Sequence, residues 1–338
     1  MKYIIEEYVS NEYNASSKAR KDISHFVLQN GYKSFFKNDK TKIRHNKTAK
    51  AVLAIKLIVK ALLKLDSKDI VFLQTSFPIL KAILFIKRLK RFKIVYLIHD
   101  LYTLRYNNPL SIEQNSLMIN HDMHILSKCD YIIAHNEYMI SRLKERGCNS
   151  NFISLEIFDY YTENAPKTRV LCRDSCISIS YAGTLKNDFL YVLDELCYKN
   201  NIKFFTYGKP EPHFAHSLYK GSFDANVLPS VIEGDFGLIW TFSMQPDEAD
   251  CYELLNNPHK LSMYIVAGIP AITWNKSAAG KFIKKENIGF TVDSIEDMFA
   301  KLNKITPNQY DEMVRNCQRI SKLLINGEHT KQALNQCI

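Results

Sequence analysis

No apolar run of the roughly 20 residues needed to cross a bilayer occurs in this 338-residue chain. The most apolar window, Ala51–Leu65, is interrupted by Lys56, Lys60 and Lys64, which excludes a membrane-spanning helix. No long apolar core follows a basic start in Met1-Lys-Tyr-Ile-Ile-Glu-Glu7, so a secretory leader is not expected. Cys-x-x-Cys is absent, and the 8 cysteines are scattered, as expected of reduced thiols in a cytoplasmic enzyme. Cys172 and Cys176 make only half a zinc site, with no second pair at finger spacing. The Gly-x-Gly-x-x-Gly fingerprint is also missing, which argues against a nicotinamide dinucleotide. No Asp-x-Asp occurs, and the nearest acidic cluster is Asp247, Glu248 and Asp250, so no metal cofactor is expected.

Acidic residues are scarce in only one half of the chain. Residues 1–150 hold 26 Lys and Arg against 13 Asp and Glu, while 151–338 hold 19 against 22. The net charge of +10 therefore comes wholly from the first half, which points to two domains with different partners. Hydrophobic residues at 46% and charged ones at 24% are otherwise ordinary for a soluble globular chain.

Short apolar runs alternate with segments of helical period, the pattern of α/β domains built on parallel sheets. In the first half Tyr3–Ile5, Ile70–Leu73, Ile94–Ile98 and Tyr131–Ala134 are expected as strands. Helices are expected at 18–29, 48–64, 80–89, 112–126 and 137–146. In the second half the strands are Ile177–Ala182, Lys203–Tyr207, Phe236–Trp240, Ile269–Trp274 and Gly289–Val292. Helices there are expected at 189–199, 259–266, 277–284 and 294–304, with a helical tail from Pro307. The polar, aperiodic stretch Asp159–Arg173 reads as the linker. The expected domains are 1–160 and 161–310, with 311–338 a helix that crosses back to the first.

The most informative stretch runs from Asn256-Asn-Pro-His-Lys260 to Ala267-Gly-Ile-Pro270. Pro258 starts a helix whose leading N–H groups stand beside Lys260, a diphosphate pocket in outline. Gly268 and Pro270 end the helix before the strand Ala271-Ile-Thr-Trp274. The same pattern also fits an ordinary Pro-started helix with a solvated lysine.

This stretch resembles the bacterial β-1,6-galactofuranosyltransferase family and the related glucosyltransferases that modify serine-rich adhesins. Other matching pieces follow in order. They include Asn14-Ala-Ser-Ser-Lys18-Ala19, His99-Asp100-Leu101 with Arg105, and Ala134-His-Asn136. Ile157-Phe-Asp159-Tyr160, Tyr181-Ala-Gly183, Tyr219-Lys-Gly221, Leu228-Pro229 and Phe236-Gly-Leu-Ile-Trp240 complete the set. The resemblance implies a GT-B glycosyltransferase: two Rossmann-like, doubly wound domains facing a cleft, with a UDP-sugar on the C-terminal one and the acceptor approaching the N-terminal one.

Carried over residue by residue, the resemblance assigns Lys260 to the donor diphosphate, shaped by Asn257 and His259. Gly183 matches a glycine that lets backbone N–H groups approach phosphate. The continuation Gly-Asn-Leu common in the family here reads Gly183-Thr184-Leu185-Lys186, so Thr184 and Lys186 join the donor set, as does Trp240. The retaining enzymes of the commonest bacterial type carry a glutamate three residues after this lysine. Met263 stands there instead, which favours the galactofuranosyl-like group and inversion. Inversion needs a general base. Asp100, at the end of an apolar strand, is the first candidate, with His99 as base or orienting group; Asp22, four residues after Lys18, is a rival that could simply pair with it. Ser16, Lys18 and Arg105 are the candidate acceptor-binding residues.

Between Lys37 and Lys64 stand nine Lys or Arg and one acid, Asp39, and Lys81–Lys93 adds six more cations. Val52, Ile55, Val59, Leu62 and Leu63 recur at helical spacing among the lysines, as expected of a helix that packs its apolar face inward and lays its charge on anionic lipid. The readings in contention are a galactofuranose transferase acting on a lipid- or protein-linked glycan of the bacterial surface, a glucosyl-type pyranosyltransferase, a basic nucleic-acid-binding protein, and an inactive partner subunit. The enzyme readings expect a cytoplasmic protein, peripheral at the inner membrane face, with no nucleic acid and with a homo-oligomer left open. The cations lack interleaved aromatics or any known nucleic-acid module, which favours the membrane over DNA.

Overall fold

The computed structural model describes residues 1–8, 15–39, 47–105, 112–163, 176–186, 188–240 and 252–337. The chain divides into two compact units: residues 1–158 with 327–338, and residues 159–326. Of the segment 311–338 expected to cross back, 311–326 stays in the second unit and 327–338 joins the first.

The first unit is an all-parallel sheet of β1 (Lys2–Tyr8), β2 (Lys33–Asp39), β3 (Ile70–Leu73), β4 (Lys93–Leu97), β5 (Tyr131–Ala134) and β6 (Asn151–Ser154). Their order is β2-β1-β3-β4-β5-β6. The inner strands β3, β4 and β5 are short continuous apolar runs, which is what burial on both faces requires. β2 and β6 were not expected. Both are edge strands with sequences KSFFKND and NFIS, in which one exposed edge tolerates polar residues that hide the strand period. The core gathers Ile4, Ile23, Val27, Phe72, Val95 and Ile133.

The second unit repeats the architecture with β7 (Ser178–Thr184), β8 (Lys203–Lys209), β9 (Leu218–Gly221), β10 (Phe236–Ile239), β11 (Ala271–Trp274) and β12 (Gly289–Val292). The order β12-β11-β10-β7-β8-β9 is again parallel throughout. Strand order reverses between β7 and β10, as it does between β1 and β3 in the first unit. In open α/β sheets such switch points open a crevice beyond the strands' carboxyl ends, the usual ligand position.

Two elements differ from expectation. Helix Lys47–Lys64 turns Val52, Ile55, Val59 and Leu63 outward, while Leu57 and Ala61 pack inward. The apolar stripe expected to face the core is exposed, and the face that packs inward carries Leu57 and the small Ala61 instead. The tail is two helices, Pro307–Ile325 and Glu328–Asn335, broken at Gly327 with φ +70°. A side chain at Gly327 would collide with the ring of Phe26, so only glycine lets the last helix lie on helix Ala15–Gln29.

Candidate active site

In the second unit Lys260 and Gly183, two of the donor candidates, meet at the carboxyl end of β7. Pro258 opens helix His259–Val266, whose first-turn N–H groups point out of the helix end. Lys260 lies in that first turn, and its ammonium sits 4.1 Å from the centroid of the Tyr181 ring. The lysine is only partly open to solvent, and burial lowers its pKa from 10.5 to about 8. Gly183, at the end of β7, is exposed, and a Cβ there would stand 3.1 Å from the Lys260 Nζ. The missing side chain therefore leaves the ammonium reachable from solvent.

Three residues that the sequence reading did not single out set this geometry. Tyr264, one helical turn after Lys260, accepts a hydrogen bond from the Ala182 N–H at 3.0 Å and donates one to the Ser180 carbonyl at 3.0 Å. Its hydroxyl thus fastens the helix to the backbone of β7 immediately before Gly183. Gly237 in β10 makes room, since a Cβ there would collide with the Tyr264 ring. Gly208 pairs with Gly183 across β7 and β8, and with φ +137° a Cβ on it would overlap the Gly183 carbonyl oxygen. A glycine inside an apolar strand is the one sequence sign of such close approach, and Phe236-Gly237-Leu238-Ile239 carries it.

His259 is buried and stacks on Tyr160, centroids 4.8 Å apart at 21°. Tyr160 in turn donates to the Ala225 carbonyl. Asn257 is 2% exposed just before the helix. Thr184 and Lys186 are exposed at the end of β7 and beyond it, on the Gly183 side. Trp240 lies elsewhere in character: at 1% exposure it belongs to the unit's hydrophobic core. An indole that directly follows a buried strand completes the core and offers no face to a ligand.

In the first unit His99 and Asp100 follow β4. His99 is a clamped ring, stacked on Phe158 at 5.2 Å and bonded through Nε2 to Gln74 Oε1 at 2.7 Å. Gln74 Nε2 already donates to the Arg20 carbonyl and to Ser24 Oγ, so its Oε1 is the atom facing His99 and the imidazole Nε2 carries the proton. His135 continues the chain, its Nε2 donating to the His99 carbonyl at 3.0 Å and its ring edge meeting Phe158. Asp100 itself is exposed. At the β1/β3 switch point Glu7 accepts from the Ser76 N–H at 2.9 Å and from Ser76 Oγ at 3.0 Å, which closes the turn after β3.

Lys18 is placed otherwise than an acceptor ligand requires: it is 5% exposed and ion-paired with Asp22, itself 3% exposed. Two charges one turn apart on a packed helix find each other more readily than either finds solvent. Ser16 and Arg105 lie in helices Ala15–Gln29 and Tyr102–Arg105, but their side chains fall outside the described residues, as do Asn14, Cys172 and the Asp247, Glu248 and Asp250 cluster. Among the described residues no group of three or more His, Cys, Asp or Glu is placed to hold a metal, and no helix is long and apolar enough to cross a membrane.

Comparison with known proteins identifies the family and the fold. The N-terminal domain model of the Glucosyltransferase 3-like family matches residues 1–157, and its C-terminal domain model matches 179–337. The β-1,6-galactofuranosyltransferase WbbI of Escherichia coli K12 is 30% identical over 289 residues, covering 81% of this chain and 80% of that one. Glucosyltransferase 3 of Streptococcus parasanguinis is 26% identical over 249 residues, covering 73% and 70%. Among solved structures, a glycosyltransferase from Rickettsia africae superposes with a TM-score of 0.64 over 99% of this chain and 97% of its own, at 11% identity. Two parallel Rossmann-like sheets, the family match along nearly the whole chain and the 30% identical relative together place the chain in the Glucosyltransferase 3-like family, a glycosyltransferase of the GT-B fold.

Proposed function

We propose that the protein transfers a hexose, galactofuranose first among the candidates, from a UDP-sugar to a glycan acceptor, with inversion at the anomeric carbon. The observation that carries the donor half is the Lys260 ammonium, held over Tyr181 and against the bare backbone of Gly183 at a sheet switch point. A desolvated cation beside a helix N-terminus matches a diphosphate, and such a pair stabilises the charge that develops on the leaving UDP. Thr184 and Lys186 stand close enough in sequence to extend that contact.

In the reaction the acceptor hydroxyl oxygen bonds to the anomeric carbon as the bond from that carbon to the diphosphate oxygen breaks. The electron pair leaves with UDP, and the hydroxyl proton passes to a carboxylate. Asp100 is assigned that role because it is exposed, while Asp22 is paired with Lys18 and His99 donates its Nε2 proton to Gln74. His99 then acts as a positioning residue for the Asp100 backbone. With Lys260 and the helix end serving the leaving group, transfer is expected without a metal.

The acceptor is a lipid- or protein-linked glycan, and the basic first unit suits work at the inner face of an anionic membrane. A panel of UDP-sugars tests the donor. UDP-galactofuranose should be turned over in preference to UDP-glucose, and a clear preference for UDP-glucose would instead favour the pyranosyl reading, as the Glucosyltransferase 3 relatives suggest. No binding of any UDP-sugar, together with no effect of Lys260→Ala, refutes both. Activity that survives EDTA is expected; its loss, restored by a divalent cation, refutes the metal-independent mechanism.

A further inference from the structure

Two helices of the first unit, Phe77–Lys90 and Ile112–Leu126, form the walls of an open groove of about 810 Å³, lined in part by Leu84 and the buried Ile125. Lys81, Arg88 and Arg91 line it from the side of helix Phe77–Lys90, and His121, His124 and Lys128 from the side of helix Ile112–Leu126. Lys87 is engaged with Asp130 at 2.6 Å, but among the described residues Lys81, Arg88, Arg91 and Lys128 make no ion pair, and all four are exposed. The donor chemistry of the second unit uses none of these residues.

The surroundings of the groove are apolar. Phe85 and Leu89 are 64% and 62% exposed on the same helix. Helix Lys47–Lys64 packs beside it and turns out Val52, Ile55, Val59 and Leu63, the last 79% exposed, with Lys56 and Lys64 also exposed. Six large apolar side chains left in water on two adjoining helices, interspersed with cations, form a surface that few monomers show without a partner.

We propose that this groove binds the phosphate headgroup of an anionic lipid, with Arg88, Arg91, Lys81 and Lys128 as its ligands, while Phe85, Leu89 and the Val52–Leu63 stripe enter the acyl boundary. The inference rests on the membrane reading above and gives it a site. Charge complementarity selects the occupant class, since four exposed cations that make no ion pair among the described residues favour a phosphate. The exposed aliphatics select lipid over nucleic acid, because a duplex offers phosphates but no apolar layer for Leu63, Leu89 or Val59 to enter. A second copy of the chain would bring the same exposed cations face to face, which is unfavourable.

The full-length protein is tested by flotation with phosphatidylcholine vesicles, with phosphatidylcholine–phosphatidylglycerol vesicles, and against duplex DNA at matched phosphate concentration. Wild type should float only with the anionic vesicles and prefer them to DNA. The variant Arg88→Ala/Arg91→Ala/Lys128→Ala should bind them roughly 100-fold more weakly, as the loss of three surface cations predicts. Phe85→Ser/Leu89→Ser should lose the binding that persists at high salt. UDP binding in solution, measured on the same preparations, should be unchanged; it reports whether the fold and the donor reading stand independently of the lipid site. Equal vesicle binding by the triple variant overturns the proposal. So does tighter binding to DNA, or light scattering that shows the apolar stripe buried in a self-associated species that ignores lipid.

Discussion

Lys260 carries a conflict that can be measured. A lysine whose folded pKa stands near 8 rather than 10.5 is held in an environment that disfavours its charge, a penalty on the order of 2 kcal/mol after solvent screening. Between about pH 8 and 10.5 the unfolded chain binds more protons than the folded one, so this group makes stability rise with pH across that window. Diphosphate binding reverses the preference, because the bound anion holds the proton. Donor affinity should therefore be flat with respect to this group below pH 8 and fall about tenfold per unit above it. Lys260→Met should remove that slope and most of the affinity, yet raise the melting temperature at pH 7 by roughly 2–4 °C per kcal/mol recovered. Calorimetry and UDP titrations across pH check both arms. Asp100 gives the complementary test: Asp100→Asn should lower kcat about 10²–10⁴-fold with little change in donor binding, as removal of a general base does. An unchanged turnover number would transfer the role elsewhere.

Between residue and domain, the helix His259–Val266 behaves as a rigid arm whose far end fixes its near end. The Tyr264 hydroxyl is the latch, and Tyr264→Phe leaves the Ala182 N–H and the Ser180 carbonyl without that partner, at a cost of about 1–3 kcal/mol. The expected kinetic signature is a donor KM raised roughly tenfold or more with kcat much less affected, since a helix displaced by about 1 Å misplaces Lys260. Gly237→Val should act more severely by the same route, through collision with the ring. This helix was legible in the sequence to the residue, and so were strands β3, β5 and β12, because Pro258 and Gly268 bracket the helix, β3 and β5 are uninterrupted apolar runs, and Gly289 opens the β-prone Phe-Thr-Val of β12. The latch was not, because a tyrosine one turn beyond a lysine is ordinary until β7 is known to pass beneath it. Edge strands β2, β6 and β9 were hidden for a different reason: a strand paired on one side needs no apolar alternation. The outward stripe of helix Lys47–Lys64 was misread because periodicity locates an apolar face without saying which way it points.

At the scale of the whole molecule, two separate cores are built from one chain, and the first is completed by its last dozen residues. Ala333, Leu334 and Cys337 are buried in the first unit's core beside Ile4, Ile23 and Val27, and the helix carrying them lies on helix Ala15–Gln29. Residues that close a parallel sheet's covering layer contribute by burial alone, on the order of 1–3 kcal/mol for a side chain such as Leu334. The long helix Pro307–Ile325, by contrast, packs against His259–Val266 and belongs to the donor unit, held at its start by a capping box between Thr306 and Gln309. A stop before Gly327 should therefore damage one unit and spare the other. In differential scanning calorimetry the shortened chain should lose stability in the transition that UDP does not shift, while the UDP-stabilised transition keeps its midpoint and UDP still binds with nearly the full-length affinity. If UDP affinity falls with the truncation, the donor site depends on the last helix and its assignment to residues 159–326 alone is wrong.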